Sequence, residues 1–257
     1  MTANPSTTGR PLSSQVTITP SVAYAIVLVI LVAIAAAVAG LARLEISRAL
    51  VVASVRALVQ LAAISLLIAA VLRSWGLTAV FVTSMLTIAA FTSGGRVGRR
   101  SPAIALPILG GTVPVLALVL ATGTVPRTPI AVVPIAGILI GGAMTATSLA
   151  GRRALETLRT RHGEYEAALA LGFADRDAAL ELCRTSAAEA LVPALDQTRT
   201  VGLVTLPGAF VGVLLGGASP IAAGAAQLLV LGLLAVEMIA AALTVELVAR
   251  GIIELVQ

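Results

Sequence analysis

Glu237 stands near the middle of the apolar run 221–249. A carboxylate at that depth in a bilayer is costly and has to face protein or water. It is either protonated, paired with Arg56, or engaged with a cation. Arg56 and Gln60 are four residues apart in the apolar run 49–72, hence on one face of a helix. Arg56 either snorkels to lipid phosphate or faces inward beside a transport path. Pro134 and Pro207 interrupt apolar runs and free backbone carbonyls. Broken helices of that kind line transport paths, although a proline is also a simple kink. Metal chemistry is thin. An iron or zinc site needs clustered His, Cys, Asp or Glu, yet His162 and Cys183 both lie in the polar stretch 151–198, and the apolar runs offer only Glu237, Glu246 and the scattered Met85, Met144 and Met238. One cysteine leaves no internal disulfide. The chain has no lysine, so it has no P-loop to hold ATP; Gly94-Gly95-Arg96-Val97-Gly98 is only a short glycine-rich connection. No nucleophile–base pair is evident at membrane depth, so an enzyme is not expected.

The elements that must position these residues are membrane helices. Of 257 residues 58% are hydrophobic and 11% charged, with mean hydropathy +1.05, against about 25% charged in soluble domains. A span takes roughly 20 apolar residues, and apolar runs occur at about 21–42, 49–72, 76–93, 103–123, 129–150, 199–217 and 221–249. The expected fold is an all-α bundle of about seven spans: a mobile tail at 1–20, helices one to five over 21–150, a cytoplasmic segment at 151–198, and helices six and seven over 199–257. The third run is the shortest and carries Thr78, Thr83, Ser84 and Thr87, so it decides between six and seven. Arginine sets the orientation, since retained positive charge marks the cytoplasmic side. Arg43, Arg48, Arg96, Arg99, Arg100 and the six arginines of 151–198 fall in alternate connections, against Arg10, Arg73 and Arg127 in the others. A plasma-membrane protein with its N-terminus outside and its C-terminus and the 151–198 segment inside is expected. The same placement makes the formal +5 charge a membrane signal rather than a nucleic-acid one.

The 151–198 segment holds eight of the twelve acidic residues. Leu155, Leu158, Tyr165 and Leu169 share one helical face, weakened at Gly163. Gly172 suits a left-handed helix end. Asp175 is then expected to cap a second helix from Arg176 to about Leu191, halted near Pro193.

Glu166-Ala167-Ala168, followed by Gly172, resembles the first half of the EAA motif of ABC-transporter permeases, in which a helix–turn–helix docks on the ATP-hydrolysing subunit. The second half fits poorly, because Val192-Pro193 comes about ten residues late. A closer resemblance is to the FetB-type permeases, bacterial membrane subunits linked to iron export and related to plant aluminium-tolerance permeases. Its strings here are Arg56-Ala-Leu-Val-Gln60-Leu61, Val133-Pro134-Ile-Ala-Gly137, Leu169-Ala-Leu-Gly172, Leu191-Val-Pro193-Ala-Leu-Asp196 and Thr200-Val-Gly202-Leu-Val-Thr-Leu-Pro207-Gly208. The run from Pro193 to Gly208 is the most specific. The chain departs from the family's Gly-Asn-Ala-Met at Gly141-Gly142-Ala143-Met144, and from its Pro-Gly-Met-Met at Pro207-Gly208-Ala209-Phe210.

The resemblance implies a permease subunit exporting iron or a related metal or solute, working as a homodimer with a cytoplasmic ABC ATPase. ATP and Mg belong to that partner and no cofactor to this chain. Glu166, Ala167, Gly172, Phe173 and Arg176 would couple to the ATPase. Arg56, Gln60, Pro134, Met144, Asp196, Pro207, Gly208 and Glu237 would line or gate the path, Asp196 being either a helix cap or a coupling element. Gly137-x-x-x-Gly141 and Gly208-x-x-x-Gly212-x-x-x-Gly216 are small-residue stripes that mark helix contact, at the dimer interface or within one chain. Two further readings stay open: a permease for an organic solute such as a nucleotide sugar, and an ion-coupled secondary transporter using Glu237 and needing no ATPase.

Overall fold

The computed structural model describes residues 21–98, 101–228 and 231–253. The expected tail at 1–20 lies outside them. The fold is an all-α membrane bundle, and six stretches among the described residues are long and apolar enough to cross a membrane. The first four are α1 (Val22–Leu41), α2 (Ser47–Val71), α3 (Trp75–Val97), and α4 (Ala105–Ala121) with the 3-10 turn Pro102–Ile104 before it. The fifth is α5 (Pro129–Thr160). Between α5 and the last stretch lie α6 (His162–Ala170), α7 (Asp175–Ala190), α8 (Val192–Thr200) and α9 (Gly208–Leu215). The sixth stretch, Pro220–Ala249, contains α10 (Pro220–Leu228) and α11 (Leu231–Ala249).

Local chemistry sets the ends. Ser21 and Ser74 accept the Tyr24 and Leu77 N–H groups at 3.1 and 3.2 Å, capping α1 and α3. Pro129 occupies the first turn of α5, where its missing N–H has no helical partner to lose. The third apolar run, despite its hydroxyls, forms a 23-residue helix. Several of those hydroxyls donate back to carbonyls of their own helix, as Thr87 does to Thr83 at 2.9 Å.

The run 199–217, expected as the sixth span, is not one continuous helix. The helix α8 stops at Thr200, whose carbonyl then accepts the N–H groups of Leu203, Val204 and Thr205. Gly202 turns with φ +81°, and Pro207 holds the chain off the helical path until α9 starts. The 151–198 stretch also differs in detail. The fifth helix runs unbroken to Thr160, so Leu155 and Leu158 belong to it, and the break falls at Arg161 rather than at Gly163. Asp175 does not cap α7: Ala174 is the cap residue and makes no side-chain bond, while Asp175 is already helical. Pro193 sits in the first turn of α8 and opens that helix instead of halting α7.

Two compact units divide the chain, residues 1–69 with 211–223, and residues 70–210 with 224–257. The core described here belongs to the second. Its centre is α5, against which α3, α4, α7 and α11 pack. Ala136, Ala143 and Ala150 recur every seventh residue of α5 and are fully buried, as are Ala240 and Ala241 on α11. Such small side chains let helix backbones approach closely in a membrane. At Gly111 of α4 the neighbour is backbone itself, and an added Cβ would lie 2.7 Å from the Val236 carbonyl oxygen of α11. Ser93 of α3 bonds Ser148 and the Met144 carbonyl of α5, both at 3.1 Å, so these two buried hydroxyls are paired across helices, whereas those of Thr112 on α4 and Thr147 on α5 are buried without a hydrogen-bond partner among the described residues.

Candidate functional site

Two features of the second unit carry chemistry. The first is a cavity of about 270 Å³ bounded by α5, the start of α8 and α11. Glu237 of α11 enters it beside Gly141, Gly142 and Thr145 of α5 and Gln197 of α8, with Ala146, Leu149, Pro193 and Leu233 among the apolar walls. Gly142 makes the room: a Cβ there would stand 2.9 Å from Glu237 Oε1 and 2.2 Å from Leu233 Cδ1. Thr145 Oγ1 donates to the Gly141 carbonyl at 3.0 Å, leaving its lone pairs to the cavity. Glu237 is half-buried and forms no ion pair among the described residues, and Gln197 reaches the rim exposed.

The second feature is the elbow between α6 and α7. The N–H groups of Gly172 and Phe173 bond the carbonyls of Leu169 and Ala168, closing α6 with Gly172 at φ +91°. Glycine adopts that backbone without Cβ strain. At the tip Leu171 and Phe173 are 80% and 50% exposed. Behind the tip, α7 is anchored. It packs on α5 and α11, Cys183 is fully buried, and burial pushes its thiol up to about 11. Arg176 grips Glu246 of α11 with two bonds of 2.7 and 2.9 Å, and Arg250 reaches the same carboxylate at 2.6 Å. The Glu246 carboxylate raises the Arg176 guanidinium above its ordinary value.

The remaining sequence-derived residues fall as follows. Glu166 and Ala167 are exposed on α6, Glu166 standing 3.8 Å from His162. Arg176, read as an ATPase contact, spends its guanidinium on Glu246 and Asp177. Arg56 and Gln60 share a shallow groove on α2 with Val51, Val52, Val55 and Val59. Pro134 is exposed within α5, and Met144 is part-buried and offers its carbonyl to Ser93 and Ser148. Asp196 lies inside α8, 3.4 Å from Arg199, and caps no helix. Pro207 and Gly208 lead into α9. Of the glycine stripes, a Cβ added at Gly137 would lie 3.2 Å from Met85 Cε, Gly141 lines the cavity, Gly212 has open space, and a Cβ at Gly216 would meet the carbonyls of Gly212 and Val213. The tightest approaches instead use Gly110, Gly111, Gly142 and Gly151, which no four-residue glycine spacing announces. Among the described residues no group of three or more His, Cys, Asp or Glu side chains is placed to hold a metal ion.

A family model described as "Uncharacterised protein family (UPF0014)" matches residues 22–253. The chain belongs to the UPF0014 family. That match takes in every helix described above, the cavity and the elbow included. Among relatives, the UPF0014 membrane protein STAR2 of Oryza sativa subsp. japonica is 36% identical over 210 residues, 79% of this chain and 73% of that one. Protein ALUMINUM SENSITIVE 3 of Arabidopsis thaliana is 37% identical over 153 residues, 58% of this chain and 56% of the relative. The probable iron export permease protein FetB of Escherichia coli (strain K12) is 34% identical over 115 residues, 45% of this chain and 44% of the relative. The matches to these last two thus span about half of each relative's length. No solved structure matches. The family read from the motif strings is therefore the one found.

Proposed function

We propose that this UPF0014 chain is the membrane-spanning permease subunit of an ATP-driven transporter in the plasma membrane. A second copy and a separate cytoplasmic ATPase, which carries ATP and Mg, complete the machine. The 151–198 segment lies on the cytoplasmic side and is the docking element. One observation carries this reading: the elbow presents two bare apolar side chains, Leu171 and Phe173, at the tip of an otherwise polar projection. A tip left in water gains nothing from them, whereas a groove on a partner does. The body of α7 is fastened to α5 and α11, two of the helices that line the Glu237 cavity, so a push on the tip reaches that cavity through packed helices. By analogy with the FetB relative's name, transport is outward, of iron or a related metal or solute.

The test is to isolate the tagged chain from its native membrane and identify co-isolated proteins by mass spectrometry. A P-loop ATPase that accompanies the intact chain and is lost with Phe173→Ala or Gly172→Val is expected. A chain that stays without an ATPase under conditions preserving its flux would overturn the reading. The Glu237 cavity favours a second reading, an ion-coupled carrier with that carboxylate as the coupling group. Membrane-potential-driven uptake by the purified chain alone in liposomes would establish it.

A further inference from the structure

The donor set of the Glu237 cavity defines a ligand more narrowly than "solute". Every polar group turned to it is an acceptor or can serve as one. Glu237 supplies a carboxylate, Thr145 supplies lone pairs because its proton is given to the Gly141 carbonyl, and Gln197 at the rim can turn its amide oxygen to the cavity. A carboxylate and two neutral oxygens suit a group that is positive and carries N–H donors. A divalent metal ion is poorly served, because hard cations gather several carboxylates or carbonyls and no acidic cluster stands here among the described residues. Quaternary ammonium groups are recognised by aromatic cages, and none of the residues bounding this cavity is aromatic. An anionic solute such as a nucleotide sugar would meet Glu237 as a like charge. The size agrees: about 270 Å³ falls just below the roughly 300–1,000 Å³ of pockets for drug-sized ligands.

We propose that the cavity formed by Glu237, Thr145, Gly142 and Gln197 is a binding site for a primary aliphatic ammonium group, its N–H donors meeting these oxygens and its carbon chain lying along Ala146, Leu149 and Leu233. Its role as a transport site rests on the permease reading above; its existence as a binding site does not. Gly142 is a specificity device in this arrangement, since any side chain there displaces the carboxylate from the cavity.

The test uses the full chain, purified in detergent, and a hydrophobic carbodiimide, which reacts with protonated carboxyl groups in apolar surroundings. Labelling of Glu237 is followed by peptide mass spectrometry, with Glu237→Gln as the unlabelled control. An ammonium ion bound at Glu237 holds the carboxylate ionised and shields it. n-Butylammonium at about ten times its dissociation constant should slow labelling about tenfold by occupancy alone, whereas tetramethylammonium and Mn²⁺ at the same concentration should not. Thr145→Val should raise the n-butylammonium concentration required about tenfold, the loss expected for a hydrogen bond to a charged group. Gly142→Ala should abolish protection. Thr145→Val is the milder change and keeps the test decisive if Gly142→Ala fails to fold. Equal protection by all three cations, stronger protection by Mn²⁺, or no protection overturns the proposal. None of these outcomes bears on whether an ATPase binds the elbow, so the two ideas fail separately.

Discussion

The seam of α4, α5 and α11 and the elbow between α6 and α7 both depend on glycine, for opposite reasons. At Gly111 and Gly142 the backbone is ordinary helix and the space is already taken, by the Val236 carbonyl in one case and by Leu233 and Glu237 in the other. At Gly172 the surrounding space is open and the backbone itself, at φ +91°, is what only glycine adopts cheaply. In the seam a side chain would have to push helices apart. At the elbow it would have to bend the chain differently, and nothing behind would move. The seam is thus where the chain is held together, and the elbow is where a partner can be met at little structural risk.

The sharpest way to break that contrast is Gly111→Val. Its first added carbon meets backbone rather than the flexible end of a side chain, and overpacking a close-packed interior costs about 1–3 kcal/mol or more. For a chain of this size each kcal/mol moves the unfolding midpoint by about 2–4 °C. A fall of about 10 °C in a detergent thermal-shift assay, with loss of the folded peak on gel filtration, is expected. An unchanged midpoint would mean that α4 and α11 do not approach as described.

Gly172→Ala comes next. An L-residue in a left-handed conformation costs roughly 1–2 kcal/mol, so the midpoint should drop by only a few degrees. Under the permease reading proposed above, recovery of a co-isolated ATPase should fall much further than stability does. Gly172→Asn should lie between glycine and alanine, because asparagine tolerates that backbone better. If alanine left ATPase recovery intact, the elbow would not be the contact.

The elbow was legible in the sequence and the seam was not. Gly172 follows an apolar triplet at the end of a helical face and precedes an acidic helix start, all within a dozen residues. The seam joins α11 to residues far away in the chain, as Gly142 to Leu233 and Gly111 to Val236, and which face of α5 meets α11 depends on helix rotation that hydropathy does not record. Four-residue glycine spacing therefore marks Gly137, whose added Cβ would meet Met85 of α3, together with Gly212 and Gly216, whose added Cβ would meet no other helix within 4 Å, and it passes over Gly111 and Gly151. Glu237 was conspicuous because a lone carboxylate in an apolar run is costly; its neighbours Thr145 and Gln197 carry no such mark. The break after Thr200 is only half legible: Pro207 marks an interruption of the run, but the turn at Gly202 leaves no sign in the hydropathy. Val201 to Leu215 is apolar enough for a span, and hydropathy does not weigh one turn at Gly202 plus one Pro207 against the whole run.

Arg176 joins the two regions, since it stands at the start of the elbow's second helix and holds Glu246 of the seam's last one. Under the permease reading, Arg176→Glu should reduce ATPase-driven transport more than it reduces ATPase recovery, and should lower the unfolding midpoint by a few degrees at most, because the pair is only part-buried even though the new carboxylate faces Glu246 and Asp177 as like charges. Restoring the pair in reverse, with Arg176→Glu and Glu246→Arg together, should recover part of the lost transport. No recovery in the double variant would mean that the guanidinium acts on the partner and not on α11.

The smallest effect expected near neutral pH concerns Cys183, buried where α7 rests on the end of α5, its Sγ 3.6 Å from the Ala154 carbonyl. Burial raises the thiol from an ordinary value of 9.0 to about 11. The neutral thiol is the form the fold accepts, so its contribution is complete below pH 9 and is lost as pH rises from 9 towards 11. Each unit in that interval should remove about 1.4 kcal/mol. At pH 7 maleimide should label Cys183 far more slowly in the folded chain than in denaturant, because the thiolate is the nucleophile and the folded site offers little of it. Prompt labelling of the folded chain at pH 7 would show that α7 lifts away from α5, and the elbow would then be a loose arm unable to pass a push to the seam.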